Sequence, residues 1–368
     1  MSKKLKKVFC FSVTIIFFIL TISGPALAKR ISPLAAGDDV PELALKRNFS
    51  KADYKYLGIK KSKKDTFHLS EIQGDLILLE ILSVYCPSCQ SQAPVFSKLY
   101  DAIEKDPRTK GRVKMIGVAA GSNEREIETF KKRYSAPFPI VPDEKFGILD
   151  VVGSTRAPFN ILIRKSKDEM VIAQTHLGVV ADHAAYFEDM NTIMTYKIAA
   201  IRTEKKGSGP VKVIKPDISQ ERLVSLLKGG VEEVGEKIKE WKEIKLADDE
   251  TVYMGTTKKG KLFAKLVSRE AICDVCENTH FIFVFDKEGK VMNLVPVSLT
   301  KYGNKNWDEK DIKTMKGRVI GKYLYNPFDF DSRVDAVSTA TMTSVLIFNS
   351  LERANTIYKE LKEKGYLH

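Results

Sequence analysis

Two cysteine pairs of identical spacing, C-P-S-C at Cys86/Cys89 and C-D-V-C at Cys273/Cys276, are the residues of this chain best equipped for chemistry. A thiolate is a nucleophile, and a second thiol three residues on can close a disulfide behind it, so such a couple can exchange electron pairs with other thiols and disulfides. Two further residues fit around the first pair. Glu80 lies six residues before Cys86 in an otherwise apolar run, where a buried acid can take or give the proton that Cys89 exchanges. Ala157-Pro158 precedes the apolar run P-F-N-I-L-I, where a cis proline would expose a backbone edge to a substrate disulfide.

The elements that must position these residues can be read from apolar patterning. D-L-I-L-L-E-I-L-S is a short buried strand. C-P-S-C follows it, and Ala93, Phe96, Leu99 and Ile103 then repeat at helical spacing, so the first pair sits where a strand hands over to a helix N-terminus. The partial positive charge of unpaired amides there favours a thiolate, with Cys86 as nucleophile and Cys89 as resolving thiol. V-K-M-I-G-V-A-A is a second buried strand; Asn123 and Glu126 form a capping box for the next helix; two further strands and a helix from Asp182 to about Tyr196 close the unit. The order β-α-β-α-β-β-α predicts a mixed sheet covered by helices.

This unit resembles the thioredoxin superfamily, and Gly37 to Pro41 resembles the entry segment of its exported, TlpA-like branch. The resemblance covers about residues 33–196. It implies that Cys86 and Cys89 are the redox couple, Glu80 the buried acid and Pro158 the cis proline. The usual tryptophan before the first cysteine is Tyr85 here, and Ala157 stands where threonine is usual. Peroxiredoxins share the fold, but their P-x-x-x-T-x-x-C pattern would fall on Leu79 and Ser83, so peroxidase activity is the weaker alternative.

The chain opens on M-S-K-K-L-K-K, an apolar run and P-A-L-A, the pattern of a secretory leader cleaved after Ala28. Cys10 leaves with it, and the other four cysteines form the two pairs. In an exported protein these can be oxidised, whereas a cytosol would keep them reduced. The net charge of +13 falls to about +9 without the four leader lysines. The remaining lysines read as solvated loops, with attraction to an anionic membrane surface or an acidic partner as the alternative, and nucleic acid is not a candidate for an exported protein without a recognition motif.

From Thr203 to Lys215 the composition turns to Gly, Ser, Pro and charge, a linker. A helical stretch is predicted from Ile218 to Lys245, and then four strands, T-V-Y-M-G-T-T, K-L-F-A-K-L-V-S, H-F-I-F-V-F-D and K-V-M-N-L-V-P-V, build an α+β unit. The predicted division is leader 1–28, thioredoxin-like unit 33–196, linker 197–217, helical connector 218–242 and second unit 243–368. Within the last, C-x2-C-x3-H ends on His280, but zinc would want a fourth ligand, and two pairs on separate units are not expected to share one site. No metal is therefore expected, and the second pair reads as a redox dithiol or a structural disulfide.

The stretch V-D-A-V-S-T-A-T-M-T-S can be read as a helix start rich in capping hydroxyls. It also resembles the flavin-acceptor motif of FMN-binding domains of the Nqr/Rnf type. Asp335, Ser338, Ala340 and Thr341 match that motif, and Thr339 stands where Gly or Ser is usual. The resemblance covers about residues 243–365 and implies FMN attached through a phosphoester to Thr341 by an FMN transferase. Tyr323, Tyr325, Phe328 and Phe330 are either ring-stacking groups or core. The expectation is thus an exported thiol–disulfide oxidoreductase acting on disulfide-bearing exported proteins and linked through FMN to a membrane electron-transfer partner. In the relay this implies, electrons pass from Thr341-bound FMN to Cys273/Cys276 and on to Cys86/Cys89. A flavin-free docking module, or a reductant of cysteines awaiting haem, are the alternatives.

Overall fold

The computed structural model describes residues 33–153, 156–167, 169–203 and 214–368; the leader and part of the linker lie outside them. A hairpin of β1 (Ala44–Lys46) and β2 (Thr66–His68) brackets α1 (Lys51–Leu57), whose Ser50 and Asp53 cap it reciprocally. The run L-I-L-L-E-I-L becomes β3 (Leu76–Leu82), buried on both faces. It is followed by α2 (Pro87–Lys105), β4 (Val113–Ala120) and α3 (Glu124–Tyr134), the last capped by Asn123 and Glu126. Then come β5 (Ile140–Asp143), α4 (Gly147–Val152), β6 (Phe159–Lys165), β7 (Met170–Leu177) and α5 (His183–Thr195).

The sheet order is β5-β4-β3-β6-β7, with β3, β4 and β5 parallel and β6 and β7 antiparallel. This is a thioredoxin-like α/β fold. Its central strand is the one that leads into Cys86, so the first pair stands at the carboxyl edge of the best-buried element. The chain continues beyond Tyr196 into α6 (Ile198–Thr203), where the linker was expected to begin; Ile198 and Ile201 pack on Val171 of β7 and keep this turn helical.

The second unit is a sheet-rich α+β body. Helix α7 (Gln220–Gly235) precedes a five-stranded antiparallel meander of β8 (Glu240–Lys245), β9 (Thr251–Thr257), β10 (Gly260–Arg269), β11 (Thr279–Asp286) and β12 (Val291–Ser298). Alternation along β11 explains the layers. Phe281, Phe283 and Phe285 face one side of the sheet, while Ile282 and Val284 face the other, against Leu227 and Val231 of α7. The phenylalanine face is closed by α8 (Glu309–Val319) and α9 (Thr341–Glu363), reached through the ribbon β13 (Thr300–Lys301) and β14 (Lys305–Asn306).

The predicted helical connector to residue 242 is corrected here. The helix stops at Gly235, where a Cβ would come within 2.4 Å of Leu262, and E-W-K-E-I-K is strand β8. Its alternation decides this: Ile244 enters the phenylalanine-side core while Trp241 turns to the α7 side and stacks on Tyr253 of β9.

The two units are joined through apolar and charged contacts. Ile272, Cys273, Val345 and Leu346 belong to the same buried cluster as the core of the first unit. Around it lie the pairs Arg156–Glu270 at 3.0 Å, Arg125–Asp331 at 3.4 Å and Arg353–Asp150 at 2.5 Å. No described helix is long and apolar enough to cross a membrane.

Candidate active site

Strand β3 ends at Leu82, and the chain turns through Val84 and Tyr85 to place Cys86 as the N-cap of α2, with Pro87 in the first helical position. The Cys89 amide donates to Cys86 Sγ at 3.4 Å, so the helix start aims a backbone donor at the first sulfur. Both thiols are buried, and all four cysteines among the described residues are free. The peptide between Ala157 and Pro158 is cis, and Cys86 Sγ lies 3.4 Å from the Ala157 carbonyl oxygen.

The backbone of Ala157 is occupied by the second cysteine loop. Its N–H donates to the Ile272 carbonyl at 2.5 Å, and its carbonyl accepts from the Asp274 N–H at 3.1 Å, a parallel bridge between Ala157 and Cys273. The bridge lays C-D-V-C beside the cis-proline loop as a one-residue strand and turns Cys273 onto Cys86. The sulfurs of Cys86 and Cys273 and a carboxylate oxygen of Asp274 all lie within 4.8 Å of one another. The expectation that the pairs stay apart is overturned: a linker in the sequence says nothing about whether two units dock, and here they dock through these loops.

Arg156 holds the second loop in place. Its guanidinium donates to the carbonyls of Cys273 (3.2 Å), Asp274 (2.9 Å) and Cys276 (3.1 Å) and to Asn278 Oδ1 (3.1 Å), and pairs with Glu270. The planar fork suits such a convergent set of acceptors. Tyr85 joins the same interface, its phenol within hydrogen-bond reach of Ser332 and Glu126.

The sulfurs share their protons unequally. Hydrogen bonds from the Cys276 and Cys86 thiols and from backbone amides pull Cys273 well below the usual thiol range. Donating to Cys273 pushes Cys86 and Cys276 up, and burial raises Cys89. Hydrogen bonds in the reduced site therefore converge on Cys273, facing Cys86, and favour the thiolate there. Beneath Cys89, burial raises Glu80 to about 7, against the Gln92 amide that donates to it at 2.7 Å. Gln92 also reaches Asn160 Oδ1 at 3.4 Å and accepts from Val180 N–H, tying the acid to β6 and to the loop after β7.

The remaining sequence candidates lie elsewhere. His280 bonds Ser268 Oγ at 3.0 Å and stays outside the donor group formed by Cys86, Cys273 and Asp274. Thr341 opens α9, and Ala340, its N-cap, supplies no side-chain cap. Asp335 accepts from the Asp331 N–H, Ser338 is exposed, and Thr339 has φ +59°. The four aromatics nearby make ring contacts: Phe328 and Phe330 meet Phe348 edge-on, and Tyr323, Tyr325 and Tyr358 pack in sequence at tilted angles. The two cavities described among these residues, of about 520 and 190 Å³, do not reach Thr341. The smaller cavity is bordered by Phe328 and Phe330 but not by Thr341, and no step below passes through a flavin.

Three contributors escaped the sequence reading. Gln92 announced itself only as a polar residue on the buried stripe of α2, Arg156 as a charge next to Ala157-Pro158, and Tyr85 as the departure from tryptophan.

Comparison with known proteins bears on the first unit. Residues 36–177 match the AhpC/TSA family. The thiol–disulfide oxidoreductase ResA of Halalkalibacterium halodurans is 30% identical over 114 residues, 31% of this chain and 60% of that protein. ResA of Geobacillus thermodenitrificans is 26% identical over 98 residues, 27% of this chain and 53% of that protein. The chain thus spans about three fifths or less of these two relatives. Among solved structures, StoA from Bacillus subtilis aligns with a TM-score of 0.28 at 23% identity, over 35% of this chain and 92% of that one. Residues 36–177 thus match the AhpC/TSA family model, and the chain includes a stretch similar in sequence to proteins named thiol–disulfide oxidoreductases.

Proposed function

We propose that this chain is an exported thiol–disulfide oxidoreductase whose two C-x-x-C pairs exchange electrons with each other through a Cys86–Cys273 mixed disulfide. The observation that carries this reading is the backbone bridge between Ala157 and Cys273, which seats the second pair where a substrate disulfide would lie on the cis-proline edge. Export rests on the leader pattern before Lys29 and on cysteines used only as pairs.

The geometry supports an exchange in two steps. With Cys86 and Cys89 bridged, the Cys273 thiolate attacks Cys86 Sγ, forming Cys86–Cys273 and expelling Cys89, which takes up a proton in the neighbourhood of Glu80. Cys276, having lost its proton, then attacks Cys273 and expels Cys86 as a thiolate, which the Cys89 amide at the helix start receives. One electron pair has moved: the first pair is reduced and the second is a disulfide. Every step is reversible, and the direction is set by the two reduction potentials. Docking makes the step intramolecular, so a positioned thiol replaces one that must diffuse in.

The test removes both resolving thiols. A Cys89→Ser/Cys276→Ser chain, oxidised at submicromolar concentration and digested without reductant, should give a single cross-linked peptide pair containing Cys86 and Cys273. Recovery of both as unlinked thiols, or only of bridges between chains, contradicts the reading.

A further inference from the structure

We propose that Cys276 is the outer sulfur of this relay, and that the cavity and apolar rim around it receive an extended, cysteine-bearing segment of a partner protein. This rests on the exchange proposed above and adds where that exchange meets the outside.

Burial singles out the sulfur. Cys86, Cys89 and Cys273 are 0%, 1% and 0% exposed, because the second loop covers the first pair and the first unit covers Cys273. Cys276 alone of the four is only partly buried, and it lines the cavity of about 520 Å³ with Arg156, Lys215, Asn278, His280 and Val297. With the units docked, a foreign disulfide can meet the relay at Cys276 and at none of the other three sulfurs.

The surroundings indicate what kind of disulfide. Val275, next to Cys276, is 58% exposed, and its carbonyl is held by the Asn304 amide, two residues from Tyr302, which is 72% exposed. On the other side Gly178 lies against Asp274, and its neighbours Leu177 and Val179 are also exposed. One large apolar side chain in water is ordinary, but Val275 within the C-D-V-C loop, with Tyr302, Leu177 and Val179 on the segments that touch that loop, makes a contact patch. The cavity carries acids as well as bases, Asp217 and Glu277 with Lys215 and Arg156, so it does not select for net charge as a site for a small anionic thiol would. A polypeptide with apolar residues flanking its cysteine fits both features.

The electron accounting closes. Cys276 passes its proton to the Cys273 sulfur as it attacks the partner disulfide, forming a mixed disulfide and releasing one partner thiolate, which takes that proton back from Cys273. Cys273 then attacks Cys276 and releases the second, leaving Cys273–Cys276 oxidised. The pair is re-reduced from the Cys86/Cys89 dithiol through Cys86–Cys273, so both electrons delivered to the partner come from the first pair. A partner dithiol runs the same steps backward.

The experiment uses the full mature chain and two probes: a synthetic disulfide peptide with apolar residues flanking its cysteine, and oxidised glutathione. Cys276→Ser should slow reduction of the peptide at least tenfold, although the Cys89→Ser/Cys276→Ser chain still forms the Cys86–Cys273 cross-link. The unsubstituted chain should reduce the peptide at least tenfold faster than glutathione disulfide, and Val275→Asp should erase most of that preference. If the cross-link forms and Cys276→Ser still reduces the peptide at the original rate through an adduct on Cys86, the outer-sulfur assignment is overturned. Equal rates for both probes overturn the protein-segment assignment, and failure of the cross-link overturns the relay beneath both.

Discussion

Arg156 is the single side chain on which docking of the two pairs should depend most, and its replacement by alanine gives a quantitative expectation. It donates to three backbone carbonyls and one amide oxygen of the second loop, and its ion pair with Glu270 is largely buried, with side chains 20% and 12% exposed. A hydrogen bond from a charged donor contributes about 1.5–3 kcal/mol net, and breaking a buried ion pair costs about 3–5 kcal/mol because the partner stays behind uncompensated. Water from the adjoining cavity can rehydrate some of the carbonyls, so the contributions do not add in full, and about 3–4 kcal/mol is a fair value for the loss of docking. At about 1.4 kcal/mol per factor of ten, the effective concentration of Cys273 at Cys86 should fall roughly 100- to 1000-fold. The assay places the Cys89→Ser/Cys276→Ser chain, with and without Arg156→Ala, in graded glutathione buffers and reads the fraction carrying the Cys86–Cys273 bridge. Arg156→Lys keeps the charge without the fork and should recover only part of the loss. An effective concentration for Arg156→Ala within threefold of the parent, in a chain with unchanged circular dichroism, would refute the clasp.

Three other substitutions test separate links. Because burial raises Glu80 to about 7 from an unfolded value near 4.5, the folded state holds the extra proton between those limits. Stability should therefore fall by about 3 kcal/mol as pH rises from about 4.5 to above 7, and Glu80→Gln should flatten that slope in chemical denaturation. Thr339 is an exposed β-branched residue at φ +59°, a backbone region that costs L-residues about 1–2 kcal/mol; after the larger chain entropy of glycine is set against it, Thr339→Gly should stabilise the chain by up to about 1 kcal/mol. Thr341→Ala should leave exchange between the two pairs unchanged in stopped-flow thiol assays, since Thr341 lies outside the site.

Much of the first unit was legible because its signals are local. A strand buried on both faces reads as an unbroken apolar run, and L-I-L-L-E-I-L leaves only Glu80 to explain; the helix after C-P-S-C shows its stripe at Ala93, Phe96, Leu99 and Ile103. The cap of α3 could be read from Asn123 and Glu126 alone. The second unit was legible in part, since H-F-I-F-V-F-D alternates as a strand with two covered faces must. E-W-K-E-I-K was misread as helix because its only strong strand signals, Trp241 and Ile244, sit among charges that also suit an exposed helix. The docking of the pairs was not legible. It depends on Arg156 meeting carbonyls 117 to 120 residues further along, and backbone acceptors carry no side-chain signature in a sequence. Tyr85 is similar: its departure from tryptophan made sense only once Ser332 was found beside it.

The most direct test of the central claim is to give the reduced mature chain one equivalent of oxidant, quench with acid over time, and map the disulfides. The expected result is a mixture of Cys86–Cys89 and Cys273–Cys276 bridges that relaxes to one fixed ratio, at a rate that does not change when the protein is diluted tenfold. A relaxation rate that falls in proportion to dilution, or a ratio that stays wherever the oxidant first put it, would show that the two pairs do not exchange within the chain.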